Sequence, residues 1–88
     1  MKITRSDYIA ISKAILRKLY ITGCWGKGSL YEDNMKDGFP QGEKGKILAV
    51  ADALAKQGII CKKRKLYGFK YYLNAERRDK IRQILGFS

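Results

Sequence analysis

The amino-acid sequence predicts one mostly helical α+β domain that carries a single β-hairpin. Three segments place apolar residues at helical spacing, and a fourth, residues 57–74, has the β-branched and aromatic composition of two short strands. The chain has 88 residues, which is the length of one domain. A chain of this length buries roughly two thirds of its unfolded surface, so it can fold without disulfides or metal ions.

A first helix is predicted over residues 6–22. Its apolar stripe consists of Tyr8, Ile11, Ile15 and Leu19, widened by Ile9, Leu16 and Tyr20. Ser6 is the predicted N-cap, and Asp7 then lies at the positive end of the helix dipole. Gly23 is expected to end the helix as the residue that follows its C-cap.

A short helix, a turn and a longer helix are predicted next. Ser29 and Glu32 have the spacing of a capping box, which predicts that a short helix occupies residues 30–36. Pro40 suits the entrance to a longer helix over residues 41–57. The face of that helix that we expect to be buried consists of Ile47, Val50, Ala51 and Leu54.

A β-hairpin is predicted over residues 59–73, directly after Gly58 ends the longer helix. Its two apolar runs are separated by four consecutive cations and a Tyr-Gly turn. In the return strand, Phe69, Tyr71 and Leu73 fall on one face, which we expect to pack on the helices. The predicted hairpin therefore has an apolar underside and a cationic tip.

A last helix is predicted over residues 75–85, with Asn74 as its N-cap. Its apolar edge consists of Ile81, Ile84 and Leu85, and Phe87 follows them. Two interpretations of this edge stay open. Either it pairs two copies of the chain into a homodimer, or it covers the core of a single copy.

Positive charge is the strongest feature of the composition. Nineteen Lys and Arg residues face eight Asp and Glu residues, which gives a net charge of +11. Residues 56–82 hold ten cations and two acids, a net of +8, whereas residues 23–43 hold two cations and four acids, a net of −2. A local excess of this size favours a surface that binds a polyanion, although a solvated lysine-rich surface would have the same composition.

The composition argues against catalysis, cofactors and metal ions. The chain has no histidine, which is the commonest general base, and no nucleophile with an evident base. Its two cysteines, Cys24 and Cys61, are too few for a zinc site, and they form either a disulfide or two thiols. The Gly-Cys-Trp-Gly-Lys-Gly segment at residues 23–28 lacks the spacing of a phosphate-binding loop. We therefore expect a protein that binds rather than catalyses.

The hydropathy of the chain predicts no membrane segment. No apolar run approaches the roughly 20 residues that a membrane span needs, and no signal peptide is recognisable. We expect a cytoplasmic protein, associated with the nucleoid if its polyanion is DNA.

The order of the predicted elements resembles a winged helix-turn-helix domain with an added C-terminal helix. The similarity is most specific in two motifs, Leu54-x-x-x-Gly58-Ile59-Ile60 and Gly68-x-x-Tyr71-x-Leu73-Asn74. A further block resembles small archaeal winged-helix proteins, and it runs from Ser29-Leu30-Tyr31-Glu32-Asp33-Asn34 through Gly38-Phe39-Pro40-x-x-Glu43-x-Gly45. The resemblance implies that residues 41–57 are a recognition helix and that the hairpin is a wing.

The resemblance also implies a set of DNA-binding residues, because a recognition helix enters the major groove and a wing contacts the adjacent backbone. Carried over to this chain, they are Gln41, Lys44 and Lys46 on the helix and Lys62, Lys63, Arg64, Lys65, Tyr67 and Lys70 on the wing. The helix has no Arg or Asn to read bases, so we expect contacts to the DNA backbone with modest sequence specificity. Asp52 would repel phosphate if it turned outward. Tyr67 either inserts into a groove or covers a lysine stem.

Three functions are compatible with this sequence. The charge of the wing favours a DNA-binding protein, either a transcriptional regulator or a chromatin-associated factor. A recognition helix poor in base-reading side chains motivates an RNA target as the alternative. Acidic residues at Glu32, Asp33 and Asp37 beside a basic face are compatible with a protein-interaction module in a larger assembly.

Overall fold

The computed structural model describes residues 3–87, except for the side chain of Gln41, so residues 1, 2 and 88 of the predicted domain lie outside it. The described chain forms four α-helices and one three-stranded antiparallel sheet. In chain order these elements are α1 (Arg5–Ile21), β1 (Leu30–Tyr31), α2 (Glu32–Lys36), α3 (Lys44–Lys56), β2 (Ile60–Lys65), β3 (Gly68–Leu73) and α4 (Arg78–Leu85). Short 3₁₀ helices, Gln41–Glu43 and Ala75–Arg77, lead directly into α3 and α4. The predicted α+β class with mostly helical content is confirmed.

Helix α1 begins one residue earlier than predicted because Thr4, and not Ser6, is its N-cap. The Thr4 hydroxyl accepts a hydrogen bond of 3.1 Å from the backbone N–H of Asp7, and Thr4 has the extended backbone typical of an N-cap. Ser and Thr are both good capping residues, so the sequence alone did not separate the two positions. The helix ends as predicted, with Gly23 in a left-handed conformation after the C-cap.

Residues 30 and 31 form a strand, so the prediction that they open a helix is wrong. Leu30 pairs with Tyr71 and Tyr31 pairs with Lys70, which places β1 on the outer edge of β3. Ser29 is therefore not a capping residue, and α2 begins after Tyr31 without a side-chain cap. The strand forms because the edge of β3 offers unpaired backbone groups, and that information is absent from the local sequence.

Helix α2 is held at its C-terminal end by a side chain from α1. The amine of Lys18 donates to the backbone carbonyl of Asn34 at 2.6 Å and to that of Asp37 at 2.7 Å. The Asn34 carbonyl also accepts from the backbone N–H of Asp37 at 3.3 Å, and a cation is favoured near the negative end of a helix dipole. This long side chain therefore helps to hold α2 against α1.

Strands β2 and β3 form the predicted hairpin. Their register runs from the pair Ile60 and Leu73 to the pair Lys65 and Gly68, and the sheet order is β1-β3-β2. The turn at the tip consists of residues 66 and 67, so it lies one residue earlier than the predicted Tyr-Gly turn. Gly68 follows it with a φ of 125°, a value that favours glycine.

The core lies between α1, α3, α4 and one face of the sheet. Its largest buried side chains are Ile11, Ile15, Leu16 and Leu19 of α1, Met35 of α2, Ile47, Val50 and Leu54 of α3, Ile60, Tyr71 and Leu73 of the sheet, and Ile81 and Leu85 of α4. The predicted buried face of the longer helix is confirmed, since Ala51 is buried with its three neighbours. Ile84 is only partly buried, at the edge of this core.

Phe69 departs from the predicted apolar underside of the hairpin. Tyr71 and Leu73 are fully buried as expected, but Phe69 is 37% exposed. The hairpin extends beyond the helices at this point, so the ring is covered by the Lys62 amine, which lies 4.3 Å from its centroid. The buried underside therefore ends at Tyr71.

The structure also gives the positions of the predicted N-cap Asn74 and of the two cysteines. Asn74 caps the segment that leads into α4, since its side chain accepts from the backbone N–H of Glu76 at 3.1 Å. Cys24 is buried, Cys61 is half-buried, and the two are free thiols. Within residues 3–87, none of the helices has the length and hydropathy that a membrane crossing requires.

The junction between α3 and β2 depends on Gly58. Its φ is 78°, its N–H bonds the carbonyl of Ala55 at 3.0 Å, and the N–H of Ile59 bonds the carbonyl of Leu54 at 3.1 Å. This is the Schellman arrangement, which ends a helix and reverses the chain within two residues. The chain thereby passes from α3 into the hairpin with no intervening loop.

We predict that Gly58→Ala destabilises the protein. A left-handed conformation costs a residue with a Cβ about 1–2 kcal/mol, so urea unfolding should show a loss of about 1 kcal/mol. Gly42→Ala is the matched control, because Gly42 lies outside the left-handed region and an added Cβ there meets open space. Equal losses in the two variants would contradict this account of the junction.

Candidate nucleic-acid interface

The hairpin divides its side chains between two faces. Paired residues share a face, and the two faces alternate along each strand. The inner face, which continues the buried surface of the sheet, carries Lys62, Arg64, Phe69 and Tyr71. The outer face carries Cys61, Lys63, Lys65, Lys70 and Tyr72. The consecutive cations of the sequence are therefore separated into two groups with different surroundings.

On the inner face, Asp52 of α3 binds both strands of the hairpin. Its Oδ1 accepts from the Lys62 amine of β2 at 3.0 Å and from the Tyr71 hydroxyl of β3 at 3.0 Å. The Tyr71 hydroxyl also lies 3.5 Å from Oε1 of Glu32 in α2. The Asp52 carboxylate therefore faces the hairpin, and its charge is matched by a lysine that the sequence analysis assigned to DNA.

Burial raises the pKa of Tyr71 far above the usual value for a tyrosine. The hydrogen bond to Asp52 and the negative charges of Asp52 and Glu32 add to this effect, because a phenolate would repel both carboxylates. The phenol therefore keeps its proton throughout the neutral range. The Tyr71 hydroxyl donates a hydrogen bond to Asp52 of α3, and this bond fixes the angle between the helix and the hairpin.

On the outer face, two lysines lie over tyrosine rings. The Lys63 amine is 5.0 Å from the centroid of Tyr72, and the Lys70 amine is 4.6 Å from the centroid of Tyr31. Within the described chain, no carboxylate lies within 4.0 Å of either amine. The aromatic rings hold the lysine stems but leave the positive charge uncompensated.

The tip of the hairpin is the most exposed part of this surface. Leu66 is 87% exposed and Tyr67 is 82% exposed, and the neighbouring Arg64 and Lys65 are exposed as well. Neither Arg64 nor Lys65 has an ion-pair partner in the part of the chain that the structure describes. Two apolar side chains thus project from a cationic tip.

The predicted groove-facing residues of the helix have different environments. Lys46 forms an ion pair with Asp7 of α1 at 3.6 Å, and Lys44 is half-buried. The side chain of Gln41 lies outside the described part of the structure. The exposed positions of α3 include Gly45 and Ala49, which allow a close approach but cannot donate hydrogen bonds from a side chain. Among the predicted contact residues, the exposed unpaired charge therefore lies on the hairpin.

The structure brings most of the predicted wing residues together. Lys63, Lys65 and Lys70 share the outer face, and Arg64 and Tyr67 lie at the tip. Two contributors were missed in the sequence. Tyr31 lay in a predicted helix, and Leu66 was counted among the residues of the hairpin without a role. In the sequence, Leu66 is an apolar residue that directly follows four cations and precedes the turn. That position is the signal that its side chain projects from the tip of the hairpin.

The described residues offer no metal centre, since no three His, Cys, Asp or Glu side chains among residues 3–87 come close enough to hold an ion.

Comparisons of the chain with protein-family models, with curated proteins and with solved structures each found no match. Charge and aromatic residues on the hairpin are therefore the chemical features on which a function can be built.

We predict that the Tyr71 hydroxyl makes stability fall at high pH. In the unfolded chain the phenol ionises near pH 10, whereas the folded protein keeps it protonated, so its contribution is complete below pH 10 and is lost as pH rises further. Between pH 9 and pH 11, the wild type should lose about 1 kcal/mol of unfolding free energy more than Tyr71→Phe.

Urea unfolding at several pH values checks this prediction, with Tyr67→Phe as the control at an exposed tyrosine. The control variant should lose as much stability as the wild type over the same range. If Tyr71→Phe also follows the wild type, the hydroxyl does not couple folding to pH.

Proposed function

We propose that this chain is a winged helix-turn-helix protein that binds duplex DNA mainly through phosphate contacts from its basic hairpin. In this proposal α3 is the recognition helix and β2 with β3 is the wing. The protein would act as a transcriptional regulator or as a chromatin-associated factor on the nucleoid. Its role is binding, with no catalytic step.

The arrangement of elements supports the winged-helix part of this proposal. A long helix, a short strand, a short helix and a second long helix precede the hairpin, and the hairpin begins directly after α3. The short strand β1 completes a three-stranded sheet with the order β1-β3-β2. In addition, α2 packs on α3, as the two helices of a helix-turn-helix do.

The uncompensated charge of the hairpin is the observation that carries the DNA part. Lys63, Arg64, Lys65 and Lys70 project from a hairpin whose angle to α3 is fixed through Asp52. Each phosphate that such a cation neutralises releases condensed counterion, which favours binding strongly at low salt. Because the hairpin is held against α3, its backbone need not become ordered when DNA binds, which lowers the entropy lost on binding.

The surface of α3 supports modest sequence specificity. Bidentate Arg–guanine and Asn–adenine contacts, at about 1–3 kcal/mol each, are the usual source of discrimination in the major groove. Helix α3 has neither residue type, and its Lys46 is paired with Asp7. Binding would therefore depend on the backbone and on the exposed tip, where Leu66 and Tyr67 could contact a groove.

We predict that reversing the wing charge nearly abolishes duplex binding. The triple variant Lys63→Glu, Arg64→Glu and Lys65→Glu removes about three phosphate contacts. At about 100 mM salt, affinity should fall by about 100-fold or more, and the slope of log K against log salt should decrease in magnitude by about three. Fluorescence anisotropy with a labelled random-sequence duplex measures both quantities.

A matched control separates the wing from net charge. The variant Arg17→Glu, Lys27→Glu and Arg77→Glu makes the same change in net charge at exposed positions outside the hairpin. It should retain affinity within about tenfold of the wild type. A similar loss in both variants would show that duplex binding follows total charge and not the wing.

The outer face gives a specific reason to consider single-stranded RNA as a second target. Tyr31, Lys70 and Lys63 lie in one row across three strands, and Tyr72 lies beside them. A sheet surface with aromatic rings and lysines can stack bases and contact the backbone of a single strand. In such a complex, the bases would displace the lysine amines from the rings.

We predict that, if RNA is the target, Tyr31→Leu with Tyr72→Leu weakens binding of a single-stranded RNA by tenfold or more. Each stacked base contributes about 1–3 kcal/mol, and leucine retains most of the buried area without an aromatic face. Tyr67→Leu is the control for an aromatic residue outside this face. Equal effects of the double variant on RNA and on duplex DNA would contradict base stacking on the sheet.

A further inference from the structure

A concave cavity lies apart from the hairpin tip, between α1, the end of α3, the start of β2 and α4. Its volume is about 330 Å³, which falls in the range of small-molecule sites. Four of its nine lining residues are aliphatic and come from three helices and from the junction between α3 and β2, namely Ile9, Leu54, Ile59 and Ile84. Ile9 is 45% exposed at its edge, so the wall continues to the protein surface.

Ser12 of α1 lines this cavity and carries a hydroxyl without a partner. The side chain is 5% exposed, and its oxygen makes no hydrogen bond to any of the described residues. Buried hydroxyl groups are normally hydrogen-bonded, because an unpaired one costs free energy. The nearby Tyr8 hydroxyl accepts from the side-chain amide of Gln57 at 2.7 Å and keeps its own O–H to donate, so Ser12 carries the one buried hydroxyl of this wall that makes no hydrogen bond within the described chain.

The charge around the cavity has one sign. Lys13 of α1 and Lys80 of α4 are lining residues and are exposed, and the lining set includes no Asp or Glu. Symmetric pairing of two copies through this face is disfavoured, because it would bring Lys13 and Lys80 of one copy against those of the other. An apolar wall with cations at its edge is instead complementary to an anion with an apolar body.

We propose that the cavity binds a small apolar carboxylic acid. Its hydrocarbon part would lie against Leu54, Ile59 and Ile84, and its carboxylate would accept from the Ser12 hydroxyl and pair with Lys13 and Lys80. No arginine is among the lining residues, so the planar fork that suits phosphate and sulfate groups is missing. A singly charged carboxylate matches two lysines and one hydroxyl better.

Occupancy of this cavity would act on the junction between helix and hairpin. Leu54 and Gln57 lie in the last turn of α3 and at its C-cap, and Ile59 directly follows Gly58. A ligand held there would press on the segment that sets the angle of the hairpin. The regulatory consequence, a change in DNA affinity on ligand binding, rests on the proposed function, whereas the site itself does not.

The test uses sodium octanoate as the probe and the full chain labelled with ¹⁵N, without nucleic acid. We expect saturable amide shifts confined to residues 8–13, 54–59 and 80–84, at concentrations below micelle formation. Octan-1-ol has the same chain without the charge, and it should bind at least fivefold more weakly. No saturable shift, or equal binding of acid and alcohol, would overturn the proposal.

Two variants separate a ligand-binding role from a structural one. Ser12→Ala should weaken octanoate binding about three- to tenfold while it raises the melting temperature of the ligand-free protein, because it removes an unpaired buried hydroxyl. Lys13→Gln with Lys80→Gln should weaken octanoate about three- to tenfold and leave octanol binding unchanged. The control Arg17→Gln with Lys27→Gln makes the same change in net charge at exposed positions outside the cavity.

Further outcomes distinguish the site from the function. If the control pair weakens octanoate as much as Lys13→Gln with Lys80→Gln, the cavity is not the site and the proposal fails. A dimer in sedimentation experiments whose contacts shift the same amides would also overturn it, since the face would then join two copies. Octanoate binding that leaves duplex affinity unchanged would retain the site and remove only its regulatory consequence.

Discussion

The position of the hairpin depends on one carboxylate. A two-stranded hairpin is marginal in water, and this one extends beyond the helices at Phe69. It is held because the Tyr71 ring is buried in the core while its hydroxyl and the Lys62 amine both bind Asp52. Removing Asp52 would leave the buried phenol with the more distant Glu32 carboxylate as its acceptor and the Lys62 amine without its ion-pair partner. Together with the buried strand residues, this contact helps to set the direction of the hairpin that carries the exposed cations.

Strand alternation gives neighbouring lysines opposite roles. Lys62 points inward and is neutralised by Asp52, whereas Lys63 points outward and lies over an aromatic ring. The hairpin thereby uses part of its charge for its own attachment and presents the rest to solvent. The same division occurs on α3, where Lys46 is paired with α1. The net charge alone overstates how many cations a polyanion could contact. The geometry identifies the cations that are not paired within the protein.

The sequence predicted those features that local spacing determines. Helical periodicity located the buried face of α3, and Gly58 and Asn74 marked its end and the start of the C-terminal segment. Features that depend on distant partners were not predictable in this way. Leu30 and Tyr31 became a strand because β3 offers an edge, and Lys62 pairs with Asp52 because that residue lies ten residues earlier on a facing helix. The open hydroxyl of Ser12 is likewise a property of packing, since its helical position alone does not show what surrounds it.

The capping of α2 by Lys18 determines how the protein responds to ionic strength. Its amine contacts two carbonyls at 2.6 and 2.7 Å, distances shorter than the screening length of about 3 Å in 1 M salt. Screening by mobile ions therefore weakens this contact far less than it weakens attraction between the hairpin and a distant polyanion. If the proposed nucleic-acid complex forms, salt that releases it would leave α2 attached to α1 and the apolar core intact. Dissociation would then precede unfolding as the salt concentration rises, and recovery after release would require no refolding.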